Sequence, residues 1–184
     1  MVLAGIVANE PVDAVKVAKA EKIILGLQAR LPAYTAKGAG PFVAAVYDRQ
    51  GNLVAEAANS VVNGRCSHNH AEMNAIHLAE EKLGTYDLSP YHLHLYVTAE
   101  PCVMCMGGIM WSGIEAVYYG VPSKRVEEIT GFDEGYKPDW QQAFRERGIT
   151  VYGNIASEAG EKVLQRYMDE GRTVYKPERS QSIL

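Results

Sequence analysis

His70-Ala71-Glu72 and Pro101-Cys102-Val103-Met104-Cys105 are the two stretches on which the reading of this chain turns. They lie about thirty residues apart and together offer one imidazole, two thiols and one carboxylate. An imidazole and two thiolates suit a zinc ion, and three protein ligands leave a fourth tetrahedral position for water. Zinc lowers the pKa of such a water towards neutrality. A carboxylate beside it can take the water proton and deliver it elsewhere. Cys102 and Cys105 share one face if a helix starts at Pro101, because proline is well tolerated at a first helical position. A helix N-terminus also favours thiolates. Glu72, two residues after His70, points elsewhere than the imidazole on a helix, so it can flank the metal without ligating it.

A lone Cys-x-x-Cys also occurs in redox pairs and in structural zinc sites. A structural site wants four ligands, and Cys66 is the only other cysteine. It stands just four residues before His70, where it competes with the reading of Glu72 as a free carboxylate. The two half-sites together point to a catalytic zinc site instead: His70, Cys102 and Cys105 as ligands and Glu72 as the proton-transfer group.

Length and composition set the frame. The chain has 184 residues, which suits one domain, and 47% are hydrophobic, enough for a buried core. The expected division is a single domain over 1–184, with a core of about 11–171 and a tail over 172–184. The net charge is −4 and the pI about 5.7. That balance, without a Lys/Arg run, argues against a dedicated nucleic-acid groove. Three cysteines imply no disulfide framework and fit a reducing cytoplasm. Met1–Ala8 is too short for a signal-peptide core and lacks a basic start. No segment approaches transmembrane length, so no membrane partner is expected.

Going outward from the two half-sites, the chain alternates strands and helices. Residues 1–10 read as a surface arm. Pro11 to about Arg30 reads as a helix, with an apolar stripe through Val15, Ala18, Ile23, Ile24, Leu27 and Leu31. A loop follows over Pro32–Pro41. Phe42–Tyr47 and Leu53–Ala58 form a hairpin about Asp48–Asn52. The His70 helix runs to about Lys82 after a loop over Asn59–Asn69. Leu93–Thr98 is the third strand, Pro101–Ser112 the cysteine helix and Glu115–Val121 the fourth strand. Short helices at Ser123–Ile129 and Asp139–Arg147 precede a fifth strand, Ile149–Tyr152. An amphipathic helix over Glu158–Glu170 comes last. Helices between strands imply an α/β fold with a central sheet, and the long fourth-to-fifth connection permits parallel pairing. The expectation is a five-stranded mixed sheet flanked by helices, with both zinc half-sites at helix N-termini on one sheet face.

The His-x-Glu and Pro-Cys-x-x-Cys pair resembles the cytidine deaminase-like superfamily, whose members deaminate nucleobases with zinc. Further features narrow the resemblance. Gly40-Pro41-Phe42 opens the first strand, Asn59 ends the second, and Gly107–Trp111 follows the cysteines. Gly131-Phe132-Asp133-Glu134-Gly135 follows the fourth strand. Together, over about Gly40–Ile149, these look like bacterial guanine deaminases of that fold. The resemblance implies a three-layer sandwich, a zinc cofactor, a purine base as substrate and a homodimer. It assigns Asn59 to the purine edge, with Ala71 in the base-binding set. Phe42 and Trp111 would wall the base. Glu134 would contact it and relay a second proton. Tyr175 would lie on a tail that closes the neighbouring protomer's site. Two departures bear on the pocket rim. The Cys66–Asn69 stretch is unlike the small residues usual before the metal histidine, and Glu134 stands where many relatives have aspartate.

Plainer readings of these residues stand beside the functional ones: core aromatics for Phe42 and Trp111, a turn residue for Asn59, a solvated carboxylate for Glu134. The reaction implied is hydrolysis of guanine to xanthine and ammonia. Its rivals are another small amine (an aminopurine, an aminotriazine such as ammeline, guanosine or cytosine), adenosine in tRNA, and a zinc-stabilised binding module without activity.

Overall fold

The structure is a computed structural model that describes residues 5–135 and 137–177. Among the described residues its centre is one mixed sheet of six strands: β1 (Val7–Ala8), β2 (Val43–Tyr47), β3 (Leu53–Ala58), β4 (His94–Ala99), β5 (Ala116–Val121) and β6 (Thr150–Gly153). The spatial order is β1-β6-β5-β4-β2-β3. β4, β5 and β6 run parallel, while β2 is antiparallel to both β3 and β4. The sixth strand is the departure from expectation. Residues 7 and 8, expected within a surface arm, pair antiparallel with Gly153 and Tyr152. A two-residue strand is too short to carry a periodic signal. It is fixed by partners far along the chain, including Asn9, whose side chain accepts from Val151 N and donates to Ile149 O.

The helices are α1 (Ala14–Thr35), α2 (Val61–Gly64), α3 (Ala71–Leu83), α4 (Val103–Ser112), α5 (Ser123–Thr130), α6 (Trp140–Glu146) and α7 (Ser157–Asp169). Asp13 caps α1, its carboxylate accepting from Val15 N and Lys16 N at 2.8 and 3.1 Å. The helix runs through Pro32, past its expected end near Arg30. Its buried stripe is Val17, Ala20, Ile24, Leu27 and Leu31, rotated from the expected one. Val15 is 79% exposed.

The strands alternate, so each feeds two cores. Val43, Ala45, Tyr96, Ala116, Tyr118 and Tyr152 face α1. On that face Tyr118 stacks between Tyr96 and Tyr152, with centroids 4.8 and 5.5 Å away and planes within 10° of parallel. Ala44, Val46, Leu95, Val97, Val117 and Val151 face the opposite core, which Ala75, Ile76 and Ala79 of α3 and Met106 and Ile109 of α4 complete. Burying a side chain such as Ile109 or Leu95 contributes about 1.5–3 kcal/mol. The result is three layers: α1, the sheet, and the helices led by α3 and α4.

This layering places the site. β4 ends at Ala99, and the chain turns at Glu100-Pro101 into α4. β3 ends at Ala58 and leads through Asn59 and α2 to α3. Both helix N-termini therefore open at one end of the sheet, outside the carboxyl end of β4, where α/β sheets commonly take ligands. Gly113 ends α4 at φ +84, and a Cβ there would come within 2.5 Å of the Ser89 backbone nitrogen. The turn that returns α4 to β5 therefore requires glycine.

Candidate active site

His70 and Cys102 are the N-cap residues of α3 and α4, both in extended backbone conformation. Helix α4 thus begins two residues later than expected, at Val103. Cys102 and Cys105 occupy the cap and the third helical position, which face each other across the first turn. The Cys102 and Cys105 sulfurs are 3.6 Å apart, and Cys102 Sγ is 3.4 Å from His70 Nδ1. One ligand atom from each of the three residues lies within 4.8 Å of the others.

This donor set fits zinc. Two sulfurs at about 2.3 Å from a tetrahedral centre are about 3.8 Å apart, close to the observed separation. Electrostatics points the same way. The Cys102 thiol is pulled down to about 4 by hydrogen bonding with Cys105 and by the His70 imidazole, against the opposing effect of burial. Its neighbour Cys105 is pushed strongly upward by Cys102 and by burial. Two buried thiols in contact resist losing both protons until a cation compensates the charge. Among the described residues no fourth His, Cys, Asp or Glu joins the cluster. Cys66 is turned away, its sulfur 3.3 Å from the His68 ring nitrogens.

A cavity of about 410 Å³ opens beside these donors, within the usual size range for small-molecule sites. Glu72 lines it, is 6% exposed and is raised to about 7, first by burial and then by the charge of Cys102, with His70 opposing. Glu134 lines it from the loop after α5, with burial pushing its carboxyl up to about 8. Asn59 is fully buried on the wall. Its Nδ2 donates to the Tyr175 hydroxyl at 2.6 Å and its Oδ1 accepts from Val61 N at 3.2 Å. Phe42 lies on the same wall, with Phe132 edge-on at 5.4 Å.

Three expectations change. Trp111 is 88% exposed and lines a separate surface hollow with His68 and Tyr86. The inward face of α4 is set by Cys105, Met106, Ile109 and Ser112, and at about 100° per residue Trp111 falls off it. The aromatic opposite Phe42 is Phe132, a residue of the Gly131–Gly135 block to which the sequence reading gave no role. Its only signal was an apolar residue among turn formers.

The tail also differs. Residues 172–177 turn back over their own chain's site, so that Tyr175, Lys176 and Pro177 line the cavity. The Tyr175 ring lies 4.8 Å from Phe132 and 6.0 Å from His70. Tyr167 OH donates to Thr173 O at 2.7 Å and Arg172 to Thr35 O at 2.6 Å, which anchor the segment. Residues 178–184 of the expected tail lie outside the described residues. Ala71 packs fully buried in the core, its side chain away from the lining.

Comparison with known proteins agrees with this geometry. The family model for the cytidine and deoxycytidylate deaminase zinc-binding region matches residues 17–121. A guanine deaminase of Bacillus subtilis (strain 168) is 38% identical over 97 residues, 53% of this chain and 60% of that protein. The match thus spans about 60% of that relative's length. A solved guanine deaminase from Nitrosomonas europaea superposes with a TM-score of 0.76 at 41% identity, covering 85% of this chain and 86% of that one. A variant of the protein NE0047, solved with 8-azaguanine, superposes with a TM-score of 0.77 at 40% identity, over 80% of this chain and 83% of that one.

Proposed function

The chain belongs to the cytidine and deoxycytidylate deaminase zinc-binding family, and from that premise we propose that it hydrolyses guanine to xanthine and ammonia. The observation that carries the proposal is the meeting, in one cavity beside a three-donor metal cluster, of two buried carboxylates, a buried amide and paired aromatic rings. His70, Cys102 and Cys105 would hold zinc. When bound, the ion would activate a water molecule for attack at C2 of the purine ring.

The remaining steps fall to side chains of this chain. Glu72 takes a proton from that water and passes it to the ring nitrogen next to C2. Buried on the cavity wall beside the metal donors, it is placed to gain and lose that proton. Glu72, again a carboxylate, or Glu134 then takes the proton of the hydroxyl added at C2 and gives it to the amine, so that C2 becomes a carbonyl and ammonia departs. Glu134 also accepts from donors on the base. Asn59 offers an N–H and a carbonyl oxygen to the purine edge, and Phe42 with Phe132 flanks the ring. Tyr175 shuts the cavity from water. Water supplies the oxygen and the substrate nitrogen leaves, so no other co-reactant is required.

Two further assignments belong to this reading. The enzyme would work as a homodimer in the cytoplasm, whose reducing conditions keep Cys66 a thiol and leave Cys102 and Cys105 available to the metal. Among the described residues no helix is long and apolar enough to cross a membrane. The test is a panel of guanine, guanosine, adenine, cytosine, cytidine and ammeline offered to zinc-loaded protein, with ammonia release as readout. Release from guanine above all others supports the proposal. Release from another amine alone transfers the activity to that amine, and no release from any leaves a zinc-stabilised binding module.

A further inference from the structure

The segment that carries Glu134 has no regular secondary structure, yet Glu134 is 7% exposed and lines the cavity. Something must hold it there. Val103 N, at the first turn of α4, donates to Glu134 O at 3.0 Å. Gly135, at φ +76, lies so close to that turn that a Cβ would approach Val103 Cγ1 to 2.4 Å. Three residues beyond Glu134, Lys137 Nζ donates to Pro101 O at 2.8 Å, pairs with Glu100 Oε1 at 3.1 Å and reaches Ser123 Oγ. The other Glu100 oxygen accepts from Ser123 N at 2.9 Å. Both side chains of the pair are only 11% exposed.

A pair this enclosed is a weak source of net stability, because desolvation offsets most of the attraction. What it supplies is geometry. It fastens the loop bearing Glu134 to the turn bearing Cys102, and it leaves Glu134 itself outside any ion pair among the described residues. We propose that Lys137 is a positioning residue, acting through its buried pair with Glu100 to hold the Glu134 carboxylate over the substrate. The Lys137 charge also opposes the effect of burial on the Glu134 carboxyl. The proposal rests on the purine-deaminase reading above.

The experiment uses the full zinc-loaded chain as Lys137→Met, Lys137→Arg, Glu100→Gln, Glu134→Gln and the Lys137→Met/Glu134→Gln double variant. Zinc content, guanine kinetics, 8-azaguanine binding by calorimetry and amide exchange over residues 131–135 are measured. Lys137→Met is expected to keep stoichiometric zinc, to raise KM and the analogue's Kd about tenfold or more, and to speed loop exchange. Lys137→Arg, which keeps the charge, should recover most of both. Glu100→Gln should repeat the loss, which keeps the test open if Lys137→Met fails to fold. In the Glu134→Gln background, Lys137→Met should weaken analogue binding no further. Additive losses in the double variant, or a Lys137→Met protein that binds and exchanges like the parent, overturn the proposal. A parent without guanine turnover but with the exchange and coupling effects intact overturns the substrate assignment instead and supports the anchoring role.

Discussion

The hydroxyl of Tyr175 sits 2.6 Å from Nδ2 of Asn59, joining the residue just after β3 to one 116 positions later in the chain. The contact sets on the cavity wall a ring that also lies 4.8 Å from Phe132 and 6.0 Å from His70. It ties access to the metal donors to the placement of six residues after the last helix.

If this contact closes the cavity over a bound base, as proposed, it has a kinetic consequence. Tyr175→Phe removes one hydrogen bond and keeps the ring, and a net hydrogen bond is worth about 0.5–1.5 kcal/mol. KM for guanine should rise about two- to tenfold. Tyr175→Ala also removes the ring and should raise KM further, with zinc content intact. Equal KM values for the parent and Tyr175→Ala in steady-state assays would refute closure in cis.

In the proposed mechanism Glu72 would carry the proton without binding the metal. Glu72→Gln should therefore keep one zinc per chain by metal analysis while kcat falls by about two to four orders of magnitude. Turnover near the parent's would remove Glu72 from the mechanism.

The metal cluster is built from caps of two helices, so the ion should stabilise the fold as well as the chemistry. Cys102→Ala should bind zinc at well under one equivalent. Chelation of the parent should lower its melting temperature, since a ligand that binds the native state alone stabilises by mass action. Full occupancy in Cys102→Ala would exclude that thiol from the donor set.

Trp111 and Phe132 make opposite predictions. Trp111→Ala alters a surface residue of α4, and kcat/KM for guanine should stay within about twofold, the usual range for changes that touch no buried group. Phe132→Ala empties a buried cavity wall. It should cost about 3–5 kcal/mol of stability in denaturant titration and raise KM as well. A large kinetic loss in Trp111→Ala would show that a surface outside this chain's cavity contributes to the site.

Gly113 tests the turn behind the cysteine helix. Gly113→Ala forces a Cβ against the Ser89 backbone at positive φ. Destabilisation of more than about 1 kcal/mol is expected, from the left-handed conformation plus the clash. Unchanged thermal unfolding would contradict the tight α4-to-β5 turn.

The residue types and short spacings of the chain determined a good deal by themselves. His70, Cys102 and Cys105 were legible because a metal site demands those donors, and the two cysteines lie within one helical turn of each other. The α/β class and all the longer strands were legible because period-two and helical patterns alternate along the chain. Tertiary structure decided what depends on distant partners. β1 exists because Val7 and Ala8 meet Gly153 and Tyr152. Phe132 replaces Trp111 on the pocket wall because the rotation of α4 is set by what Cys105 and Ile109 bury, not by closeness in sequence to the cysteines. Tyr175 reaches Asn59, and Lys137 reaches Glu100, across folds of the chain that no local pattern encodes. Periodicity records which face of an element is buried; the meeting of two elements is fixed only when their cores pack together.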